Sequence, residues 1–279
     1  LTVDTKHGGA GMSYLQAGLV CQAFARWNHA IALSWVANEN LCLDNIYRNG
    51  SQYIREKYIP RLCSGELIGA LGLTEPGAGS DALGSMRTSA VKDGDHYILN
   101  GSKTYITNGS IADVILVYTK TDFKKANKGI TAFVIETNNP GFKIISKLKK
   151  MGFRGSQTNE LFFEDFRVPA INMIGKEGEG HVTVMNGLDF ERAMIAPISL
   201  GISERALEIS IEYAKIREQF GKPISSFQMI QSKLADMYTW VQSVRALVYM
   251  VLSECDAIDK KEGGRGQIHM NTAASVMHA

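Results

Sequence analysis

Cysteine is scarce in this chain and badly spaced for chemistry. Its 279 residues include four, Cys21, Cys42, Cys63 and Cys255, with no Cys-x-x-Cys pair and no zinc-like spacing to the six histidines. That pattern excludes a disulfide framework and a structural zinc site, so no metal is expected and a reducing interior is the simple reading. No apolar run approaches the ~18 residues of a membrane span, so no integral membrane segment is expected. No secretory leader opens the sequence. The chain starts at Leu1 rather than Met and ends at Ala279 within a helical pattern, so a fragment truncated at both ends is expected. Excess charge is also missing. Thirty basic against twenty-eight acidic residues leave a net charge of +2, too near zero to argue for nucleic acid or an anionic membrane. The basic run from Lys143 to Arg154 reads as a solvated face.

An apolar content of 45% with 21% charged residues is ordinary for a soluble globular protein with a large core. Three zones differ in texture. Residues from about 12 to 64 read as helices, with Leu15, Leu19, Phe24, Ile31 and Trp35 at helical spacing. Ser51 is a candidate cap for a helix over 52–62 that Pro60 should end or kink. Short β-rich runs follow: Ile68–Leu73, Met86–Val91, His96–Leu99, Val114–Tyr118, Ile130–Ile135 and Leu161–Phe166. Gly, Asn and Asp turns separate them, which suggests a sandwich or barrel and argues against a Rossmann unit. From about 178 the helical period returns. Ser225 or Ser226 is placed to cap a helix with the stripe Phe227, Ile230, Leu234, Tyr238, Val241. The expectation is an α+β chain with helical residues 1–66, a β domain over 67–177 and helices over 178–279.

Four segments have chemical potential. Leu71–Asp81 (LGLTEPGAGSD) runs a strand into a glycine-rich loop whose amides suit an anion, although it is neither a P-loop nor GxGxxG. A surface turn explains it equally. Tyr97–Gly109 (YILNGSKTYITNG) holds two Asn-Gly pairs, each a type I′ turn signal, which together predict a β-meander. Between them Tyr105 and Thr107 share one face, suited to a planar heterocycle, or else the strand is scaffold with Lys103 and Thr104 in water. In the helical pattern Val184, Leu188, Ile195, Ile202, the core-facing place at 191 is taken by glutamate. Burial would raise its pKa and make it a useful base, unless a buried Arg or Lys pairs with it. Pro197 should disturb that helix just beyond. Lys215–Gln228 reads as a helix connector broken at Gly221 and Pro223.

Taken together, these segments resemble the acyl-CoA dehydrogenase family. LGLTEPGAGSD, Tyr97–Gly109, Met151–Ser156 (MGFRGS), Leu188–Arg192 (LDFER) and Arg217–Gln228 (REQFGKPISSFQ) recur in the order the family shows. The resemblance implies a helical domain, a middle β-barrel or sandwich domain and a C-terminal helical bundle. It implies an enzyme with FAD as cofactor and α,β-dehydrogenation of an acyl-CoA to the 2-enoyl-CoA. Electrons would pass to an electron-transfer flavoprotein, and the assembly would be a homotetramer. The cell compartment would be the mitochondrial matrix in a eukaryote or the cytoplasm in a bacterium. Glu191 would be the catalytic base. Members acting on isovaleryl-CoA carry it on this helix, and Asn40-Leu41-Cys42 with Arg48-Asn49-Gly50 is similar to that subgroup, so a short branched acyl-CoA is the implied substrate. Leu71, Leu73, Thr74, Gly79, Ser80, Tyr105, Ile106 and Thr107 would line the FAD. Arg217, Phe220 and Gln228 would reach the FAD of a neighbouring subunit, and Ser80, Asp189, Phe190 and Arg192 would meet the acyl-CoA. Two features depart from the family: Cys21 and Gln22 stand where acidic residues are common, and Val182 replaces a tyrosine near the substrate. An oxidase, a different chain length or a non-catalytic acyl-CoA-binding homologue are the alternatives.

Overall fold

The computed structural model describes residues 1–258 and 268–279. Helix α1 (Tyr14–Val36) starts at a capping box, in which the Ser13 hydroxyl accepts from Gln16 N and the Gln16 side chain accepts from Ser13 N. It runs directly into a π-helical turn, Ala37–Asp44, and then into α2 (Asn45–Asn49). The expected apolar stripe is not the buried one, since Leu19, Phe24 and Ile31 are exposed. The buried face is instead made of small residues, Ala17, Gly18, Cys21 and Ala25. They allow α1 to lie close against a later helix, where a Cβ on Gly201 would come within 2.3 Å of the Gln22 carbonyl oxygen. Helix α3 (Gln52–Ser64) is capped by Ser51 as its sequence predicts, but it continues through Pro60. Pro60 and Glu56 are both exposed, so water can satisfy the carbonyl that the proline leaves free.

The middle region contains β1 (Gly69–Gly72), a short helix α4 (Ala82–Ser85), β2 (Ser89–Asp93), β3 (His96–Thr107), β4 (Val114–Lys120), β5 (Ile130–Glu136), β6 (Phe142–Lys147), β7 (Thr158–Pro169) and β8 (Met173–Ile174). They form one eight-stranded sheet in the order β6-β7-β3-β2-β4-β5-β8, with β1 added parallel to β4. Side-chain alternation gives β4 two buried faces. Val114, Leu116 and Tyr118 join a cluster with Leu43, Ile46 and Ile54 of the helices, whereas Ile115 and Val117 join Leu99, Phe133 and Phe163 inside the sheet. Strand β6 was not anticipated, because it lies at the edge with mostly exposed residues in the basic run. In that run Lys143, Lys147, Lys149 and Arg154 are exposed; Lys150 instead donates to Ser156 O and Thr158 Oγ1.

The expected meander is corrected. Only Asn108-Gly109 closes a turn; Asn100-Gly101 lies within the continuous strand β3, where Asn100 faces a bulge in β7 formed by Glu164 and Asp165. Gly101 has φ +146°, and a Cβ there would come within 2.6 Å of Thr88 Cα. The glycine therefore answers to crowding and to a backbone conformation that side chains rarely adopt.

Helix α5 (Gly180–Ile216) passes through Pro197 without ending. A hairpin of β9 (Glu218–Gln219) and β10 (Lys222–Pro223) follows, turning at Phe220 and Gly221, both with positive φ. Helices α6 (Gln228–Ala257) and α7 (His269–His278) complete the described chain. Neither serine caps α6. Its N-cap is Phe227, and the Ser226 hydroxyl donates to Pro223 O. Of the expected stripe only Tyr238 is exposed; Met237 packs inward instead, one turn before the buried Val241. Among the described residues no helix is long and apolar enough to cross a membrane.

Gly101→Ala should lower stability by about 3 kcal/mol, combining left-handed backbone strain with overpacking. Urea unfolding followed by circular dichroism measures this.

Candidate active site

Strand β1 leads into the Thr74–Ser80 loop, and a buried ion pair fixes where that loop lies. Lys103, 0% exposed on β3, donates from Nζ to Glu75 Oε1 at 2.9 Å and to the Leu73 carbonyl at 3.0 Å. Lys103 therefore does not meet water, and Thr104 is buried too. Glu75 also accepts from the backbone N–H groups of Arg87 (2.7 Å) and Thr88 (2.9 Å). Burial alone would push the Glu75 carboxyl up, but the Lys103 charge and these donors hold it below its ordinary value. Burial pushes Lys103 down to about 8 against the pull of Glu75, so both partners stay charged at neutral pH.

Next to this pair, Thr104 N donates to Thr74 O at 2.9 Å, stitching the loop to β3. A second register shift between Lys103 and Ile106 turns Tyr105 outward with φ +59° and 69% exposure. Ile106 is buried, and Thr107 is partly exposed at the strand end. Leu71, Leu73 and Thr74 are partly exposed, and Gly79 and Ser80 are open to solvent. The structure thus brings Leu71–Ser80 and Tyr105–Thr107 together. At Gly77 and Gly79 a Cβ would meet nothing within 4 Å, and neither has positive φ. Protein packing and backbone geometry do not demand glycine at these two positions. The loop therefore has open space along it, which a large planar cofactor with an anionic tail could use.

The third component is Glu191 on α5. Leu188, one turn earlier, belongs to the same extended apolar cluster as Leu71 and Leu73. Burial pushes the Glu191 carboxyl up to about 7, opposed by a hydrogen bond from Asn45 Nδ2 (2.9 Å) and by the charge of Arg48. No ion pair is formed by Glu191 among the described residues. Buried Arg48 is instead committed to Asp44 at 3.0 Å, to Asn186 O at 3.0 Å and to the Phe190 ring at 4.8 Å. The arginine-paired alternative is therefore not what the structure shows. What remains is a part-buried carboxylate, half-ionised near neutral pH, suited to taking a proton from carbon.

Other expected residues sit differently. Phe190 is fully enclosed between Tyr14 (5.1 Å, stacked) and Arg48, so it supports the site wall and presents no surface to a substrate. Asp189 is likewise buried, paired with Arg192 at 3.2 Å and His269 at 2.8 Å; Arg192 is partly exposed. Arg217, Phe220 and Gln228 lie exposed at the far end of the α5–α6 hairpin, with Phe220 at 91%. The departure at Gln22 has a local reason. Its amide donates to Glu204 at 2.7 Å and accepts from Tyr249 at 2.9 Å, where an acid would oppose Glu204. Sequence reasoning missed Glu75, Asn45 and Arg48. A lysine inside a β run and the Asp44/Arg48 spacing of four were the available signals.

The chain matches the family description "Acyl-CoA dehydrogenase, N-terminal domain" over residues 1–66, the middle domain over 70–166 and the C-terminal domain over 178–277. It is similar to butyryl-CoA dehydrogenase from Megasphaera elsdenii, with a TM-score of 0.91 and 40% identity, covering 98% of this chain and 70% of that one. The chain belongs to the acyl-CoA dehydrogenase family. Among relatives, it is 48% identical to the mitochondrial isovaleryl-CoA dehydrogenase of Pongo abelii, over 92% of this chain and 61% of that protein. It is 42% identical to a short-chain specific acyl-CoA dehydrogenase of Megasphaera elsdenii, over 93% of this chain and 67% of that protein. The chain spans about three fifths of the length of the curated isovaleryl-CoA dehydrogenase it matches.

Two outcomes are expected. Lys103→Met leaves Glu75 buried without its cation and should cost about 3–5 kcal/mol in urea unfolding. Glu191→Gln should stabilise the protein at pH 8. A carboxyl raised from 4.5 to about 7 favours the folded state only while protonated, and that favour is lost as pH rises through 7. The gain should be on the order of 1–2 kcal/mol at pH 8 and should vanish below about pH 4.5, read from unfolding curves across pH.

Proposed function

We propose that the protein of which this chain is part catalyses FAD-dependent α,β-dehydrogenation of a short branched acyl-CoA such as isovaleryl-CoA. The observation that carries this reading is Glu191, a carboxyl on α5 that burial pushes up to about 7, in a chain whose Thr74–Ser80 loop leaves open space at Gly77 and Gly79. In this reading Glu191 removes the α proton of the thioester. The ordinary carboxylate is too weak a base for that proton, and partial desolvation narrows the gap. FAD, when bound, supplies the hydride acceptor for the β hydrogen. Leu71, Leu73, Thr74, Gly79 and Ser80 hold it along the loop, Tyr105 offers its ring, and Ile106 and Thr107 complete the strand side. Ser80 and Arg192 face the acyl-CoA at the rim, with Asp189 orienting Arg192 and Phe190 backing the wall. The apolar walls from Leu71, Leu73 and Leu188 keep water from the carboxylate.

Electrons leave to an electron-transfer flavoprotein in this proposal. Arg217, Phe220 and Gln228, exposed on the hairpin, serve the FAD of a neighbouring subunit in a homotetramer. A second reading, a short straight-chain preference, is favoured by the likeness to the short-chain enzyme.

Glu191→Gln should keep FAD bound yet slow flavin bleaching by isovaleryl-CoA by about 10²–10⁴-fold. Bleaching at the wild-type rate would place the base elsewhere. A panel of straight and branched acyl-CoAs, scored by bleaching rate, decides between the two substrate readings. Hydrogen peroxide released in step with the enoyl product would make the enzyme an oxidase instead.

A further inference from the structure

The carboxylate of Glu191 is held from one side by a device that the reaction does not itself require. Asn45, the first residue of α2, directs both N–H bonds of its side-chain amide at acceptors: the Leu41 carbonyl at 2.9 Å and Glu191 Oε1 at 2.9 Å. Two acceptors on one side fix which way the amide faces, since a flipped amide would set its oxygen against both. Leu41 lies within the π-helical turn, and such one-turn widenings are frequent at functional sites. The Asn45 oxygen is buried with no hydrogen-bond partner among the described residues, a cost with no structural return of its own. Gly187 makes the contact possible. A Cβ there would come within 2.7 Å of Asn45 Oδ1 and 2.8 Å of Glu191 Oε1.

Other charged and titratable groups surround the same carboxylate. Asp44 and Arg48 approach from the π turn and α2, Tyr118 from β4 and Arg192 from α5. Tyr14 of α1 and Cys42 stand behind them, near Arg48 and Tyr118 respectively. Arg48 is immobilised by Asp44, Asn186 O and the Phe190 ring, so it acts as a fixed charge. Of these groups, Asn45 makes the hydrogen bond to Glu191.

We propose that Asn45 is a positioning residue for the Glu191 base: clamped by the Leu41 carbonyl of the π turn, its amide holds the ionised carboxylate in the space that Gly187 leaves open. The inference rests on Glu191 being the base. Losing the amide removes a donor that favours the charged form, so the carboxyl must titrate at higher pH.

The test uses full-length, FAD-loaded protein carrying Asn45→Ser or Gly187→Ala. The second variant pushes the carboxylate off the amide while leaving every residue of the π turn in place, so the test survives if the first fails to fold. Two quantities are read: the pH dependence of flavin bleaching by isovaleryl-CoA, and the substrate-free titration of the Glu191 carboxyl by ¹³C NMR. The Glu191 signal is assigned by its loss in Glu191→Gln. The acid limb and the carboxyl titration should both move up by about one pH unit. Lower thermal stability with both midpoints unmoved would show a merely structural role and overturn the inference. If Glu191→Gln is inactive while the midpoints do not move, this inference alone fails. If Glu191→Gln bleaches like wild type, the base assignment fails and takes this inference with it.

Discussion

An ammonium group with no access to water organises the centre of this molecule. Lys103 stays buried and charged only because Glu75 and the Leu73 carbonyl meet it, and Glu75 in turn gathers the amides that open β2. That single knot joins the glycine loop, β2 and β3. With Lys103 and Thr104 drawn inward, the backbone must kink before Ile106 to restore register, and the kink leaves Tyr105 facing out. The outward ring is thus a consequence of an inward lysine.

Glu75 and Glu191 show how one chain keeps two carboxylates in different states. Glu75 is surrounded by donors and a cation, so it remains ionised well into acid. Glu191 has one amide donor and a cation already committed to Asp44, and burial prevails. Environments that push two acids apart separate a structural role from a chemical one. Of these two carboxyls, the one raised toward neutrality is Glu191, the group to which the proposal gives the proton transfer.

Much of this was legible in the residues. The change of period from helix to strand and back and the family motifs signalled the architecture, and the core-facing place at 191 signalled a buried carboxyl. What stayed hidden depended on packing. The α1 stripe was misread because close helix contact favours Ala, Gly and Cys over large apolar residues, and no periodicity of hydrophobic bulk records that. Asn100-Gly101 has the letters of a turn but lies mid-strand with Gly101 crowded against Thr88, a difference visible only once the neighbouring chain is in place. Pro60 and Pro197 read as breaks, and both sit inside continuous helices. Asp189 and Phe190 immediately precede Glu191 in sequence, yet both are buried.

Strand β4 serves two cores at once. Its odd and even side chains belong to different apolar clusters, one shared with the N-terminal helices and one sealed inside the sheet. Peeling the helices away would strip one face of a strand whose other face anchors the cluster within the sheet, so the two layers support each other. The two regions should therefore melt in a single cooperative transition.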